Sequence, residues 1–172
     1  ETVLLDIGTN TEVVIGNQII MFAASCPAGP AFEGGEIRFG MPGYDGAIES
    51  LMFSESGTEY RTIGNKKPQG ICGSGLIQIL SELLRTQQMN ELGVFDNKKQ
   101  KIILEPTQEI SISRSDVSSL AQAKSANYCG QFITAQKFGV KFSEINQIFL
   151  SGAFANYINI DCLLYTSDAA DE

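Results

Sequence analysis

The sequence contains no histidine. That removes the side chain most often used as a general base near neutral pH, and the commonest metal ligand with it. Chemistry carried by this segment alone falls to carboxylates, hydroxyls and backbone amides. Cysteine is sparse: Cys26, Cys72, Cys129 and Cys162 stand far apart and form no C-x-x-C pair. Neither a zinc knuckle nor an iron–sulfur cluster is signalled, and the four are read as buried thiols of a reducing, cytoplasmic setting. Basic residues are also few. Twelve Lys and Arg stand against twenty Asp and Glu, for a net charge of -8, with no Lys/Arg cluster that could neutralise a phosphate backbone. Nucleic acid is therefore not expected as a partner. No apolar run approaches the ~20 residues that a membrane-spanning helix needs, so no membrane partner is expected either.

What is present suits one domain or part of one: 172 residues, 43% of them hydrophobic, can bury a single sizeable core. The chain opens at Glu1 directly on the apolar Val3-Leu4-Leu5, and residues are expected to precede it in the parent protein. At the other end, the run from Cys162 through Leu163-Leu164-Tyr165-Thr166-Ser167 resembles a translated transposon-end sequencing adapter, in which CTCTTATACACATCT reads Leu-Leu-Tyr-Thr-Ser. Residues 162–172 are accordingly set aside as an adapter-like tail, the alternative being a frayed acidic terminus. Residues 1–161 carry the fold.

Three β-branched apolar runs, residues 2–6, 11–16 and 18–24, are separated by a Gly-Thr-Asn turn and by Gly16-Asn17. This spacing predicts a three-stranded antiparallel meander. A segment dense in glycine and proline follows, from Pro27 to Gly46, and is expected to be ordered only when something fills it. Short strands are expected near 47–53 and 58–63. Apolar residues at helical spacing then predict a helix over 75–87. Two more short strands, at 102–104 and 110–112, precede a long helix over 116–138, capped by Ser113 or Ser115 and stopped by Gly139. Ser143 and Glu144 start a single turn before a strand at 148–150, and a last helix is expected to begin at Ser151-Gly152-Ala153.

The element with the clearest chemistry is Asp6-Ile7-Gly8-Thr9-Asn10-Thr11, a strand end running through a glycine turn into a hairpin strand. Gly8 has no Cβ to block a close approach, so turn amides can face phosphate oxygens, with Thr9, Asn10 and Thr11 side chains adding donors. Asp6 can hold Mg²⁺ through water, since that ion prefers hard oxygens and keeps part of its hydration shell. A polar β-turn closed by its own aspartate is the plain alternative. Two further segments belong with it. Ser151-Gly152-Ala153 ends a buried strand on small residues, which lets a flat purine approach the backbone; an ordinary strand-to-helix turn is the alternative. Gly73-Ser74-Gly75 places helix N-terminal amides toward a polar ligand, or else Ser74 is simply an N-cap.

Taken together, these three segments in this order resemble the nucleotide site of the actin and sugar-kinase superfold. The longer runs Ala24-Ser25-Cys26-Pro27-Ala28-Gly29-Pro30-Ala31-Phe32-Glu33-Gly34-Gly35, Gly46-Ala47-Ile48-Glu49 and Gly70-Ile71-Cys72-Gly73-Ser74-Gly75-Leu76, with Ala121-Gln122-Ala123-Lys124-Ser125-Ala126, resemble the ATPase domain of the reductive activators of corrinoid proteins. The resemblance runs from Val3 to Ile160. It implies an α/β, ribonuclease H-like half with the antiparallel meander in a mixed sheet and helices on its flanks. It also implies an ATP- and Mg²⁺-dependent activator that returns an inactive cobalt(II) corrinoid protein of a methyltransferase system to cobalt(I), with homodimerisation left open. Under it, Asp6 positions magnesium, Gly8, Thr9, Asn10 and Thr11 hold phosphates, Ser151, Gly152 and Ala153 border the adenosine, and Glu33 orients water or a ribose hydroxyl. A first phosphate loop and a 2Fe-2S domain are expected upstream of this segment, so little ATP turnover is expected of the 172 residues alone. Two departures stand out: Thr11 and Ala153 occupy positions where the family pattern has glycine. A small-molecule kinase of the same superfold, marked by phosphorylation of an added sugar or acid, and a non-enzymatic interaction module, marked by no affinity for ATP, remain as alternatives.

Overall fold

A computed structural model describes residues 1–152 and 155–162. The expected function of Ala153, the expected helix start there and nearly all of the adapter-like tail fall outside those residues. The described residues form two compact units, one of residues 1–29, 122–152 and 155–157, the other of residues 30–121 and 158–162.

In the first unit, β1 (Thr2–Ile7), β2 (Asn10–Gly16) and β3 (Met21–Pro27) pair as an antiparallel meander, and β9 (Gln147–Ser151) lies parallel to β1 on its other side, in the order β3-β2-β1-β9. Strand periodicity decides what is buried. Val3 and Leu5 of β1 and Val13 and Ile15 of β2 turn to one face, where Ala135, Phe138, Ile145 and Leu150 join them in a core. The opposite face carries Leu4, Asp6, Glu12 and Phe149, which register places in neighbouring rows. The third strand starts later than the sequence suggests. Asn17 is the reason: its side-chain oxygen accepts the amides of Ile19 (2.9 Å) and Ile20 (3.1 Å), folding an Asx turn that keeps both isoleucines out of the ladder. Ile19 is accordingly 95% exposed.

The second unit holds β4 (Ala47–Ser54), β5 (Gly57–Thr62) and β6 (Gly70–Ile71) in the order β5-β4-β6, with β6 parallel to β4. The helix α1 (Gly73–Arg85) buries Leu76, Ile79 and Leu83, and β7 (Lys101–Glu105) pairs antiparallel with β8 (Ile110–Ser113). The glycine-rich segment is ordered by its own chain rather than by a filler. Met41 N–H donates to Ile71 O (2.9 Å), Ile71 N–H to Phe39 O (2.8 Å) and Gln69 N–H to Gly46 O (2.9 Å). The carboxylate of Asp116, itself 3% exposed, accepts the amide of Arg38 at 2.9 Å.

The long helix α2 (Arg114–Phe138) begins in the second unit and continues into the first. Its start is a capping pair: Ser113 Oγ accepts from Asp116 N–H (3.2 Å) while Asp116 Oδ2 accepts from Ser113 N–H (2.7 Å). Gly139, at φ 89°, ends it in the left-handed conformation. Helical spacing overstates what this helix buries. Val117, Leu120, Ala123 and Ala135 are buried, but Tyr128, Phe132 and Ile133 are about half exposed, the two aromatics packing instead against each other and against Phe142. Among the described residues no helix is long and apolar enough to cross a membrane.

Candidate functional site

Because β1 and β9 are parallel neighbours, their C-terminal ends emerge side by side. The turn Gly8–Asn10 leaves from one and Gly152 from the other, so Asp6, Gly8, Thr9, Asn10, Ser151 and Gly152 are brought together within the first unit. Asp6 and Ser151 are register partners, as are Asp6 and Glu12, and Glu12 and Ser25. Cross-strand partners share a face, so Ser151, Asp6, Glu12 and Ser25 form one polar row across four strands. Ser25 Oγ donates to Glu12 Oε1 at 3.0 Å, steadying that carboxylate beside Asp6. Glu12 was not singled out by its sequence context; only the register of the hairpin puts it there.

Gly152 lies close against Asp6. Its φ is +93°, and a Cβ at this position would stand 2.6 Å from Asp6 Oδ1 and 2.6 Å from Ile7 O. The backbone of β9 therefore lies against the aspartate and the strand end that lead into the turn, an approach open to glycine alone. Within the turn, Gly8 N–H donates to Asn10 O at 2.9 Å. That amide is spoken for by the turn itself. The exposed Thr9 and Asn10 carry the donors that face outward.

Thr11 departs from its expected part. It is 1% exposed, and its hydroxyl donates to Asn127 Oδ1 on α2, so its one proton is directed into the protein rather than toward a phosphate. Asn127 Nδ2 in turn donates to Ala28 O and to Ala123 O, both at 2.9 Å. Nothing near Asn127 in sequence announces this, because it lies 116 residues from Thr11.

The remaining expected residues belong to the second unit. Glu33 is exposed at the end of a 3₁₀ turn, Pro30–Glu33. Around Gly73-Ser74-Gly75 the helix N-cap is Cys72, not Ser74. Ser74 Oγ donates to Glu49 O at 3.4 Å, and a Cβ on the buried Gly75 would stand 2.2 Å from Ile48 O. These small residues let α1 lie directly on β4, which accounts for their presence by packing.

Donor chemistry fits a magnesium nucleotide. The row around Asp6 offers hard oxygens, and among the described residues there is no cluster of three or more His, Cys, Asp or Glu side chains able to hold a metal by themselves. Two neighbouring carboxylates, Asp6 and Glu12, suit an ion that takes hard oxygens and retains part of its water shell.

A three-stranded meander with a parallel fourth strand against β1, and a glycine turn at the end of that first strand, places the chain with the actin-like, ribonuclease H-like folds. More closely, the chain belongs to the family described as the C-terminal domain of RACo, the ASKHA domain, which it matches over residues 1–164. It is 32% identical to the corrinoid activation enzyme RamQ of Eubacterium limosum, with 91% of this chain and 30% of that protein aligned. It is 26% identical to the [Co(II) methylated amine-specific corrinoid protein] reductase of Methanosarcina barkeri, over 93% of this chain and 33% of that one. A solved structure, the reductive activator for corrinoid, iron-sulfur protein, superposes with a TM-score of 0.82 at 35% identity, covering 95% of this chain and 29% of its own. The chain thus spans about a third of the length of the curated relatives it matches.

Proposed function

We propose that this chain supplies one wall of the MgATP site in a protein that drives an inactive cobalt(II) corrinoid protein to cobalt(I). The observation that carries the reading is the close approach of Gly152 to Asp6 beside an outward-facing Gly8–Asn10 turn. Its relatives' names, a corrinoid activation enzyme, a Co(II) corrinoid protein reductase and a reductive activator, give the reading its substrate. A cytoplasmic setting accords with four cysteines that are all free thiols, although only Cys72 is buried as expected, Cys26 and Cys162 being half-buried and Cys129 exposed.

Asp6 would hold magnesium through its bound water, with Glu12 and Ser151 alongside it. Thr9 and Asn10 orient phosphate oxygens, and Gly152 keeps the backbone low where adenosine lies. MgATP held there would supply the free energy for an electron transfer that ordinary reductants cannot complete, and a 2Fe-2S cluster, expected in the full-length protein, would supply the one electron that takes cobalt(II) to cobalt(I).

The test is an absorbance assay of cobalt(I) formation by the full-length gene product with its corrinoid protein and a reductant. Cobalt(I) should accumulate only when MgATP is added, and Asp6→Asn should abolish the response. Equal reduction without nucleotide would overturn the reading.

A further inference from the structure

The turn that faces the nucleotide is braced from behind. Ile7 and Thr11 are the register partners that close it, so the position of Thr11 sets where Gly8, Thr9 and Asn10 stand. Thr11 is in turn held from two directions. Its hydroxyl donates to Asn127 Oδ1, and its carbonyl accepts from Cys26 Sγ at 3.4 Å. Asn127 is not free to follow if Thr11 moves. Its amide nitrogen binds Ala123 O one helical turn back (2.9 Å) and Ala28 O where β3 leaves the sheet (2.9 Å). The contact is tight along the same line: a Cβ on Gly130 would stand 2.5 Å from Cys26 Sγ, and one on Gly29 2.8 Å from Ala123 Cβ. One side chain therefore ties three segments together: the far end of the phosphate turn, the exit of β3 and the middle of α2.

We propose that Asn127 is a positioning residue for the nucleotide, acting through Thr11 to hold the phosphate turn in its binding geometry. This rests on the nucleotide reading given above. Thr11 is 1% exposed and Asn127 half-buried, so a Thr11 hydroxyl left without its partner is an unsatisfied buried polar group and costly. Without the brace the turn samples conformations in which the Thr9 and Asn10 donors no longer converge, and affinity falls by the fraction of time spent there. The role differs from packing because it should show in nucleotide affinity of a protein that is still folded.

The experiment compares Thr11→Val, Asn127→Ala, the double variant and Thr11→Ser in the full-length gene product. Two readouts are taken: the Kd for MgADP by calorimetry, and hydrogen exchange of the Gly8 amide in nucleotide-free protein, since that amide closes the turn on Asn10 O. Each single variant should weaken MgADP by about fivefold to tenfold, in line with one lost hydrogen bond. The double variant should lose no more than either single one, because both break the same link. Thr11→Ser, which keeps the hydroxyl, should bind within about twofold of the unaltered protein, and Gly8 exchange should quicken in the other three variants. Variants that melt earlier but bind MgADP normally, or whose losses add, would overturn the proposal. If the unaltered protein binds no MgADP, the nucleotide reading fails on its own; exchange then decides the brace, and an unchanged Gly8 rate in Thr11→Val overturns it.

Discussion

Gly152 and Asp6 meet so closely that a methyl group on the glycine would sit 2.6 Å from the carboxylate Oδ1. Ala at position 152 faces two separate penalties, a φ of +93° that L side chains rarely adopt and a collision with Asp6 and with Ile7 O. Gly152→Ala should therefore cost about 1–3 kcal/mol of stability. It should also weaken MgATP binding by about tenfold or more, because Asp6 must turn aside. Urea unfolding and calorimetric titration of the variant check both; a loss of stability with unchanged affinity would separate the glycine from the site.

Asp6→Asn keeps the shape and removes the charge. We expect little change in unfolding free energy, within about 0.5 kcal/mol, as befits a partly exposed group. What should disappear is the dependence of nucleotide affinity on magnesium. Titrations with ATP in the presence and absence of Mg²⁺ read this directly.

Gly75→Ala tests the other glycine cluster. Its Cβ would lie 2.2 Å from Ile48 O, backbone against side chain with no flexible group to yield. The helix α1 must shift off β4, and we expect a loss of about 2–3 kcal/mol by urea denaturation. If instead stability holds and only nucleotide affinity falls, Gly75 belongs to a ligand site and not to packing.

Glu82 sets an acid limit. Its carboxylate accepts two hydrogen bonds from Arg85 (both 2.7 Å) and one from Phe53 N–H (2.9 Å), and the Arg85 hydrogen bonds, aided by the Phe53 amide and the Arg85 charge, hold its pKa below the ordinary glutamate value of 4.5 despite burial. A lowered folded pKa means stability that is complete above the unfolded value and is lost as pH falls from about 4.5 through the folded value. Glu82→Gln should cost about 1–2 kcal/mol at pH 7. The difference from the parent should shrink as pH falls below 4.5, as unfolding curves at pH 7 and in acid would reveal.

Much of this fold is legible in the sequence wherever local pattern and burial agree. Alternation in Val3, Leu5, Val13 and Ile15 gives the meander, and the Ser113 cap with the Gly139 stop brackets α2 closely. The pattern misleads where a side chain competes with the ladder. Asn17 folds its own turn and delays β3, and an apolar Tyr128, Phe132 and Ile133 at helical spacing lie outside the core because the sheet is met by Ala135 and Phe138 instead. At the site, Asp6 and the Gly8 turn are visible because their chemistry is contiguous. Glu12, Asn127 and the true engagement of Thr11 are not, since they depend on strand register and on a contact between residues 116 positions apart. The glycines of Gly73-Ser74-Gly75 illustrate the reverse: a close helix–strand approach and a ligand cradle call for the same small residues, and only the distance to Ile48 O tells them apart.

Whether the turn after β1 grips a magnesium nucleotide is read by calorimetric titration of MgATP into the full-length gene product and its Asp6→Asn variant. Saturable binding is expected, weakened by at least about tenfold in the variant. No binding to the unaltered protein, or equal binding to both, would contradict it.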